Sequence, residues 1–418
     1  MTKALARNAA SGLVAALDIG TTKICCFIAK RDGAIPRIVG IGHQIARGVK
    51  NGVIVDIEAA SHSIATAVNA AEQMAGEQIN EIVANISGGF GASRLVKAET
   101  VVNGREIADR DMRRVLELGY RLKEPSDRTV LHSVPVGFSI DGSRGIRDPR
   151  GLFGQRLAVN MNVVTAAASG IQNLTSCIGR CHLEIAAIVV SPYAAGLAAL
   201  VEDESELGVT VVDMGGGTTT IAVFFDGNLV FTDNVPVGGI HVTNDIARGL
   251  STPVVHAERM KTLYGSAMSS PTDERETISV PQVGEDDDGQ ANHVPKSLLI
   301  RIIAPRVEET LELVRDRIEA SGFDKIVGRR VVLTGGASQL PGTRELANLI
   351  LDKQIRIGKP LRVAGLAEAT NGPAFATTAG LVHFALSERA EIPRHGRALT
   401  DEPDGFLGRF GHWIREYF

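Results

Sequence analysis

Two stretches of the chain repeat one another in the residues that could do chemistry. ALDIGTTKICCF sets Asp18 at the end of an apolar run, followed by Gly20, Thr21, Thr22 and then Lys23. VVDMGGGTTTIAVF sets Asp213 at the end of a second run, followed by Gly215, Gly216, Gly217 and Thr218. A turn built from small residues lets backbone N–H groups reach phosphate oxygens without side-chain obstruction. Two such turns brought face to face would clamp a polyphosphate from both sides. Asp18 and Asp213, one at each strand end, suit Mg²⁺ held through its waters, because this hard cation dehydrates reluctantly. Lys23 adds a point charge for phosphate. Either turn alone is ordinary, and an unremarkable structural turn explains it as well; the matched pair carries the argument.

Around these residues the chain reads as alternating strands and helices. Residues 14–29 and 209–225 are each strand, turn, strand, and their likeness implies a duplicated domain with two halves facing across a cleft. RVVLTGGASQLPGTRELA (330–347) runs from a strand through Gly335 and Gly336 into a helix started by Pro341. Two glycines there allow a flat ring or a ribose to come close. No GxxxxGK[ST] motif occurs, so the expected nucleotide site is not a P-loop. Residues 57–76 predict a helix and EIVANIS a strand; short strands and Gly/Asp/Arg-rich turns from 88 to 162, around one helix near 109–119, predict an inserted subdomain. The polar, acidic stretch 269–293 reads as a solvated loop, and Pro305 is expected near the start of a helix whose Val307, Leu311, Val314 and Ile318 face a core. IAAIVVSPYAAGLAALV is broken by Ser191, Pro192 and Tyr193, so it predicts a strand, a turn and a buried helix, with no membrane span.

Composition bounds the rest. At 418 residues the chain exceeds one ordinary core, which stops growing at roughly 250–300 residues. A hydrophobic fraction of 44% against 22% charged describes a globular protein. A net charge of −4 gives no reason to expect nucleic acid as a partner. Cys25, Cys26, Cys177 and Cys181 form neither a disulfide framework nor a metal spacing, which fits a reducing compartment. The N-terminal MTKALARNAASG does not read as a signal peptide.

The C-terminal end is different in kind. Residues 387–404 read as a flexible linker, and GFLGRFGHWIREYF follows. At 100° per residue Phe406, Leu407, Phe410, Trp413, Ile414, Tyr417 and Phe418 fall in one arc of about 140°. Arg409, His412, Arg415 and Glu416 occupy the rest, the pattern of a helix lying in an anionic membrane interface. The competing reading is a terminal helix docked on its own core. Seven large side chains at roughly 2 kcal/mol each oppose an ordering cost of about 1 kcal/mol per residue, so one tail binds weakly. Firm attachment then needs several tails on one assembly.

DIGTTK, VVDMGGGTTTIAVF and VVLTGGASQLPG, in this order and at these spacings, resemble the two phosphate motifs and the adenosine motif of the actin and sugar-kinase ATPase superfamily. Within it the chain resembles the FtsA family of bacterial cell-division proteins over nearly its whole length, including VPVGGIHVTNDIARGL at 235–250. The resemblance implies an α/β, actin-like fold: two duplicated α/β domains around a nucleotide cleft, with an FtsA-type inserted subdomain. It implies a first actin-like domain at 1–87 and 163–196, the insertion at 88–162, and a second domain at 197–242 and 330–386 with its own inserted subdomain at 243–329. The linker at 387–404 and the membrane-targeting helix at 405–418 complete the chain.

Carried over residue by residue, Asp18, Gly20, Thr21, Thr22 and Lys23 match the first phosphate loop, and Asp213, Gly215, Gly216, Gly217 and Thr218 the second. Gly335 and Gly336 match the adenosine motif, Gly238 and Gly239 the glycine pair near the sugar, and Glu258 and Lys261 the Glu/Lys pair beside adenosine, an exposed helical ion pair being the equal alternative. The implied cofactors are ATP and Mg²⁺. Relatives that hydrolyse ATP briskly carry Glu or Gln where VVSPYAAG has Ser191, and serine is a poor group for deprotonating water. ATP binding with weak or no hydrolysis is therefore expected, with no catalytic residue assigned. The implied partners are the C-terminal peptide of the tubulin-like FtsZ on 243–329, further copies of the chain in a filament, later division proteins on 88–162, and inner-membrane lipid at the septum. A pilus-assembly adaptor of the same superfamily would not need the aromatic tail, and a metabolite kinase would need a general base that the sequence does not supply.

Overall fold

Uninterrupted apolar residues make strands of Leu13–Ile19 and Lys23–Lys30, and the small turn between them closes an antiparallel hairpin that pairs Asp18 with Cys25. The computed structural model describes residues 12–33, 35–121, 125–284 and 292–387. The expected linker beyond Ser387 and the aromatic segment from Phe406 to Phe418 lie outside the described residues.

Arg37–Ile45 extends the hairpin antiparallel on one side, while Glu81–Ile86 and then Glu184–Val190 add parallel strands on the other. The second half repeats that plan. Asn228–Val235, Thr219–Phe225 and Val209–Met214 are antiparallel, and Arg330–Thr334 and Gln354–Ile357 follow in parallel. Strand order and the change of sense coincide in the two sheets, so the duplication expected from the hairpins is present as two α/β halves.

Helix Ser191–Ala199 and helix Ala376–Leu386 pack on each other between the halves. Their approach is backbone-close: a Cβ on Gly380 would collide with the carbonyl of Ala194, and one on Gly196 with the ring of Phe224. Gly380→Val should therefore cost about 3 kcal/mol or more through overpacking. Gly179→Ala, where a Cβ meets nothing within 4 Å, should leave the denaturation midpoint unchanged. Equal midpoints for the two variants would contradict this packing.

Between Glu81–Ile86 and Glu184–Val190 the chain builds a third sheet, ordered Arg94–Val101, Arg156–Ala167, Arg128–Ile140, Ser143–Ile146. Helix Asp109–Tyr120 covers it, with Met112, Val115 and Leu116 buried against Leu157 and Met161. This layer also grips the second half: Ser93 N–H donates to the Thr232 carbonyl at 2.8 Å, and Thr232 N–H donates to Ser93 Oγ at 2.9 Å.

Four local expectations need correction. Pro305 lies well inside helix Lys296–Ser321, because Leu299, Ile300 and Ile303 carry the buried stripe of Val307, Leu311, Val314 and Ile318 back toward the N-terminus. The stretch 269–293 is more than a loop, since Thr277–Val280 pairs with Asn292–Pro295 and buries Ile278 and Val280. Gly335 and Gly336 lead first into a 3-10 turn, Gly336–Gln339, and the helix starts at Thr343, past Pro341. Helix Ser191–Ala199 follows Glu184–Val190 with no separate turn. Among the described residues no helix is long and apolar enough to cross a membrane, and the four cysteines are free thiols.

Candidate functional site

The two hairpin turns meet. A Cβ on Gly216 would lie 2.5 Å from Thr22 Cγ2, and one on Gly217 would strike Thr21 Oγ1, so only glycine permits this approach of the two halves. Each turn is closed by its own backbone: Gly20 N–H donates to the Lys23 carbonyl at 2.9 Å and Gly215 N–H to the Thr218 carbonyl at 2.8 Å. The second turn is fixed further by helix Gly239–Gly249, whose Gly239 and Ile240 N–H groups donate to the carbonyls of Gly215 and Gly216 at 3.0 and 2.8 Å. Gly238 is required there, since a Cβ would stand 2.6 Å from the Gly215 carbonyl oxygen.

Asp18 and Asp213 are buried behind these turns. Asp18 Oδ1 accepts from Asn85 Nδ2 at 2.7 Å, and Oδ2 accepts from Thr378 Oγ1 at 3.2 Å. Asp213 Oδ2 accepts from Thr377 Oγ1 at 3.0 Å. Burial, and then the charge of Asp18, push the Asp213 carboxyl up to about 6. Burial raises Asp18 as well, against the opposing pull of Lys23. Lys23 Nζ stands 4.0 Å from Asp18 Oδ2, donates to the Ala374 carbonyl, and lies 3.9 Å from the centroid of the Phe375 ring.

Two hard oxygen donors left undercompensated by burial fit Mg²⁺, which keeps several waters and takes its remaining ligands from phosphate. Among the described residues no cluster of three or more His, Cys, Asp or Glu offers a fuller cage.

The expected adenosine side gathers at the other flank of the second turn. Lys261 Nζ donates to Glu258 Oε2 at 2.7 Å, to Thr243 Oγ1 at 2.8 Å and to the Gly239 carbonyl at 3.1 Å. An added Cβ on Gly239 would lie 3.3 Å from Ala337 Cβ, so the Glu258–Lys261 pair stands beside the GGAS turn. Gly335 has φ 84, and a side chain there would run into Asp213 Oδ1 and the Met214 carbonyl. Gly336 is open, with Ala374 Cβ at 3.8 Å its nearest neighbour.

Three residues escaped the sequence reading. Asn85 joins Asp18, Ser191 and the first strand, accepting from Ile19 N–H at 2.6 Å and donating to Ser191 Oγ at 3.0 Å. Its signal was an amide within the apolar run IVANI. Thr377 and Thr378 gave none, because hydroxyls among small residues are ordinary in helices. Ser191 is buried, and its hydroxyl donates to the Ile86 carbonyl at 3.1 Å.

Known proteins match this arrangement along the chain. A family model described as "Cell division protein FtsA" matches residues 210–380, and one described as "SHS2 domain inserted in FTSA" matches residues 88–165. Cell division protein FtsA of Rhizobium meliloti is 48% identical over 421 residues, covering 98% of this chain and 95% of the relative. The chain belongs to the FtsA family. Its likeness to FtsA of Escherichia coli strain K12 is 31% over 423 residues, covering 97% of this chain and 98% of that one. Among solved structures, the FtsA-family fold resembles a PilM–PilN type IV pilus biogenesis complex (TM-score 0.62, 16% identity, 90% and 98% of the two chains covered). It also resembles MreB5 of Spiroplasma citri bound to ADP (TM-score 0.54, 13% identity, 89% and 95% covered). These distant likenesses establish the actin-like fold. The inserted-domain match spans the third sheet, which sets this family apart from a bare duplication.

Proposed function

We propose that this chain binds ATP with Mg²⁺ between its two hairpin turns and uses the nucleotide to switch assembly rather than to drive turnover. The observation that carries this reading is the meeting of Thr21 and Thr22 with Gly216 and Gly217 in front of two buried, mutually repelling carboxylates. The N–H groups of both turns would hold phosphate, Gly336 and the Glu258–Lys261 pair would flank adenosine, and Asp18 and Asp213 would hold Mg²⁺ through water. When bound, the cation supplies the positive charge that the carboxylates lack, so the loaded cleft is more stable than the empty one. Ser191, committed to Ile86 and Asn85, supports weak or no hydrolysis.

Family membership supports the wider role. The chain would polymerise, hold FtsZ filaments at the cytoplasmic face of the inner membrane, and recruit later division proteins. The FtsZ C-terminal peptide would dock on 243–329, other division proteins on 88–162, and the helix at 405–418 would lie in anionic lipid. Because one tail binds weakly, filament formation and membrane attachment would reinforce each other.

Liposome co-sedimentation of the full chain and of a chain ending at Asp404, each with and without Mg-ATP, tests the reading. The full chain alone should pellet with lipid, and ATP should strengthen it. Equal pelleting of the shortened chain would remove the tether.

A further inference from the structure

Neither hairpin by itself fixes the separation of Asp18 and Asp213, which belong to different halves of the molecule. Thr377 and Thr378 are consecutive in the first turn of helix Ala376–Leu386. Neighbouring helical residues project about 100° apart, so two adjacent hydroxyls can serve two directions. Thr377 Oγ1 reaches Asp213 Oδ2 at 3.0 Å, and Thr378 Oγ1 reaches Asp18 Oδ2 at 3.2 Å. Both threonines are buried.

The helix carrying them is itself anchored. Ala379, Leu381 and Val382 are buried in the core of the first half, and Gly380 rests on the backbone of Ala194. Asp18 Oδ1 is taken by Asn85. Among the described residues no hydrogen bond is made to Asp213 Oδ1, which lies beside Gly335, so the bond from Thr377 holds one oxygen and leaves the other without a donor.

Resting on the Mg-nucleotide reading above, we infer that Thr377 and Thr378 are paired positioning residues. From one rigid turn they set the spacing and orientation of the two carboxylates that face the cation. Drawing the halves apart at the cleft would break one of the two bonds, because the donors cannot separate from each other. A cation that needs both carboxylates and a turn that holds both therefore favour the same closed arrangement. Neither threonine meets nucleotide in this account.

The test is ATP affinity of the full chain, measured by calorimetry in Mg²⁺ and again in EDTA, for the wild type, Thr377→Val, Thr378→Val, the double Val variant and the double Ser variant. Valine keeps the shape and removes the donor; serine keeps the donor. In Mg²⁺ the double Val variant should bind about 10–100-fold more weakly, the range found when groups orienting metal ligands are lost. In EDTA it should match the wild type, and the Ser variant should match it in both media. A double Val variant with the wild-type affinity in both media overturns the inference while leaving the nucleotide reading intact. Equal weakening in both media also overturns it, by reducing the threonines to support of the fold. A wild type that binds no ATP in either medium removes the nucleotide reading and this inference together.

Discussion

Asp213→Asn should weaken Mg-ATP binding by on the order of 100-fold, roughly 3 kcal/mol, while stabilising the metal-free protein near neutral pH. Both effects have one origin. The Asp213 carboxyl is buried and faces the charge of Asp18, so its ordinary value of 3.8 rises to about 6. The folded chain therefore holds a proton that the unfolded chain has released throughout the window between those values. Where the folded state binds more protons, stability falls as pH rises, and the loss is complete above the folded value. The rise from 3.8 to about 6 corresponds to about 3 kcal/mol. Asparagine keeps the shape, still accepts from Thr377, and cannot ionise. Denaturation in EDTA at pH 5 and pH 7.5 checks this: the wild type should lose more stability between the two than the variant does, and Mg-ATP should remove the difference. Parallel loss in both chains would mean that Asp213 is not the strained group.

The duplication was legible because its signal is local and doubled. Asp18 with Gly20–Thr22 and Asp213 with Gly215–Thr218 each sit between apolar strands, and a strand-turn-strand pattern needs no distant partner to be read. Pairing across the cleft was inferable from symmetry. What the pattern lacked was anything arriving from far along the chain. Thr377 lies 164 residues from Asp213 and Thr378 lies 360 from Asp18, and nothing in their neighbourhood marks the contact. The misplaced helix start has the opposite cause. Pro305 is a strong local signal for a first turn, but burial of Leu299, Ile300 and Ile303 outweighs one missing N–H, whose cost falls on the carbonyl of Arg301. The hairpin of Thr277–Val280 with Asn292–Pro295 was hidden because four-residue strands within an acidic stretch offer too few alternations to count.

Lys23 ties the first turn to the segment that leads into the helix between the halves. Its ammonium is satisfied by the Ala374 carbonyl and the Phe375 ring, both in the segment that leads into helix Ala376–Leu386. The same ring stacks on Phe27, with centroids 6.2 Å apart, and meets His43 edge-on. A phosphate in the first turn would compete with that carbonyl for the ammonium. The strand end, the Lys23 ammonium and the start of helix Ala376–Leu386 are therefore in direct contact.

The adjacent glycines 335 and 336 separate the demands of the fold from those of a ligand. Gly335→Ala should destabilise the protein by about 3 kcal/mol or more, whereas Gly336→Ala should be close to neutral in the ligand-free chain. At Gly335 the backbone has φ 84, a region costly for any residue with a Cβ. The added methyl would also meet Asp213 Oδ1, whose carboxylate is held at its other oxygen by Thr377, and the Met214 carbonyl, which belongs to the backbone at the end of a central strand. At Gly336 the nearest atom to an added Cβ is Ala374 Cβ at 3.8 Å, an ordinary contact. Both glycines were read from the sequence as room for a ring or a ribose. An added Cβ fits at Gly336 but not at Gly335, where the Asp213 carboxylate and the Met214 carbonyl already stand. Denaturation midpoints of the two ligand-free variants decide the matter. Comparable midpoints would mean that the strand ends at 214 and 334 can part to admit a side chain, and the rigid placement of Asp213 on which the proposed Mg²⁺ site depends would have to be abandoned.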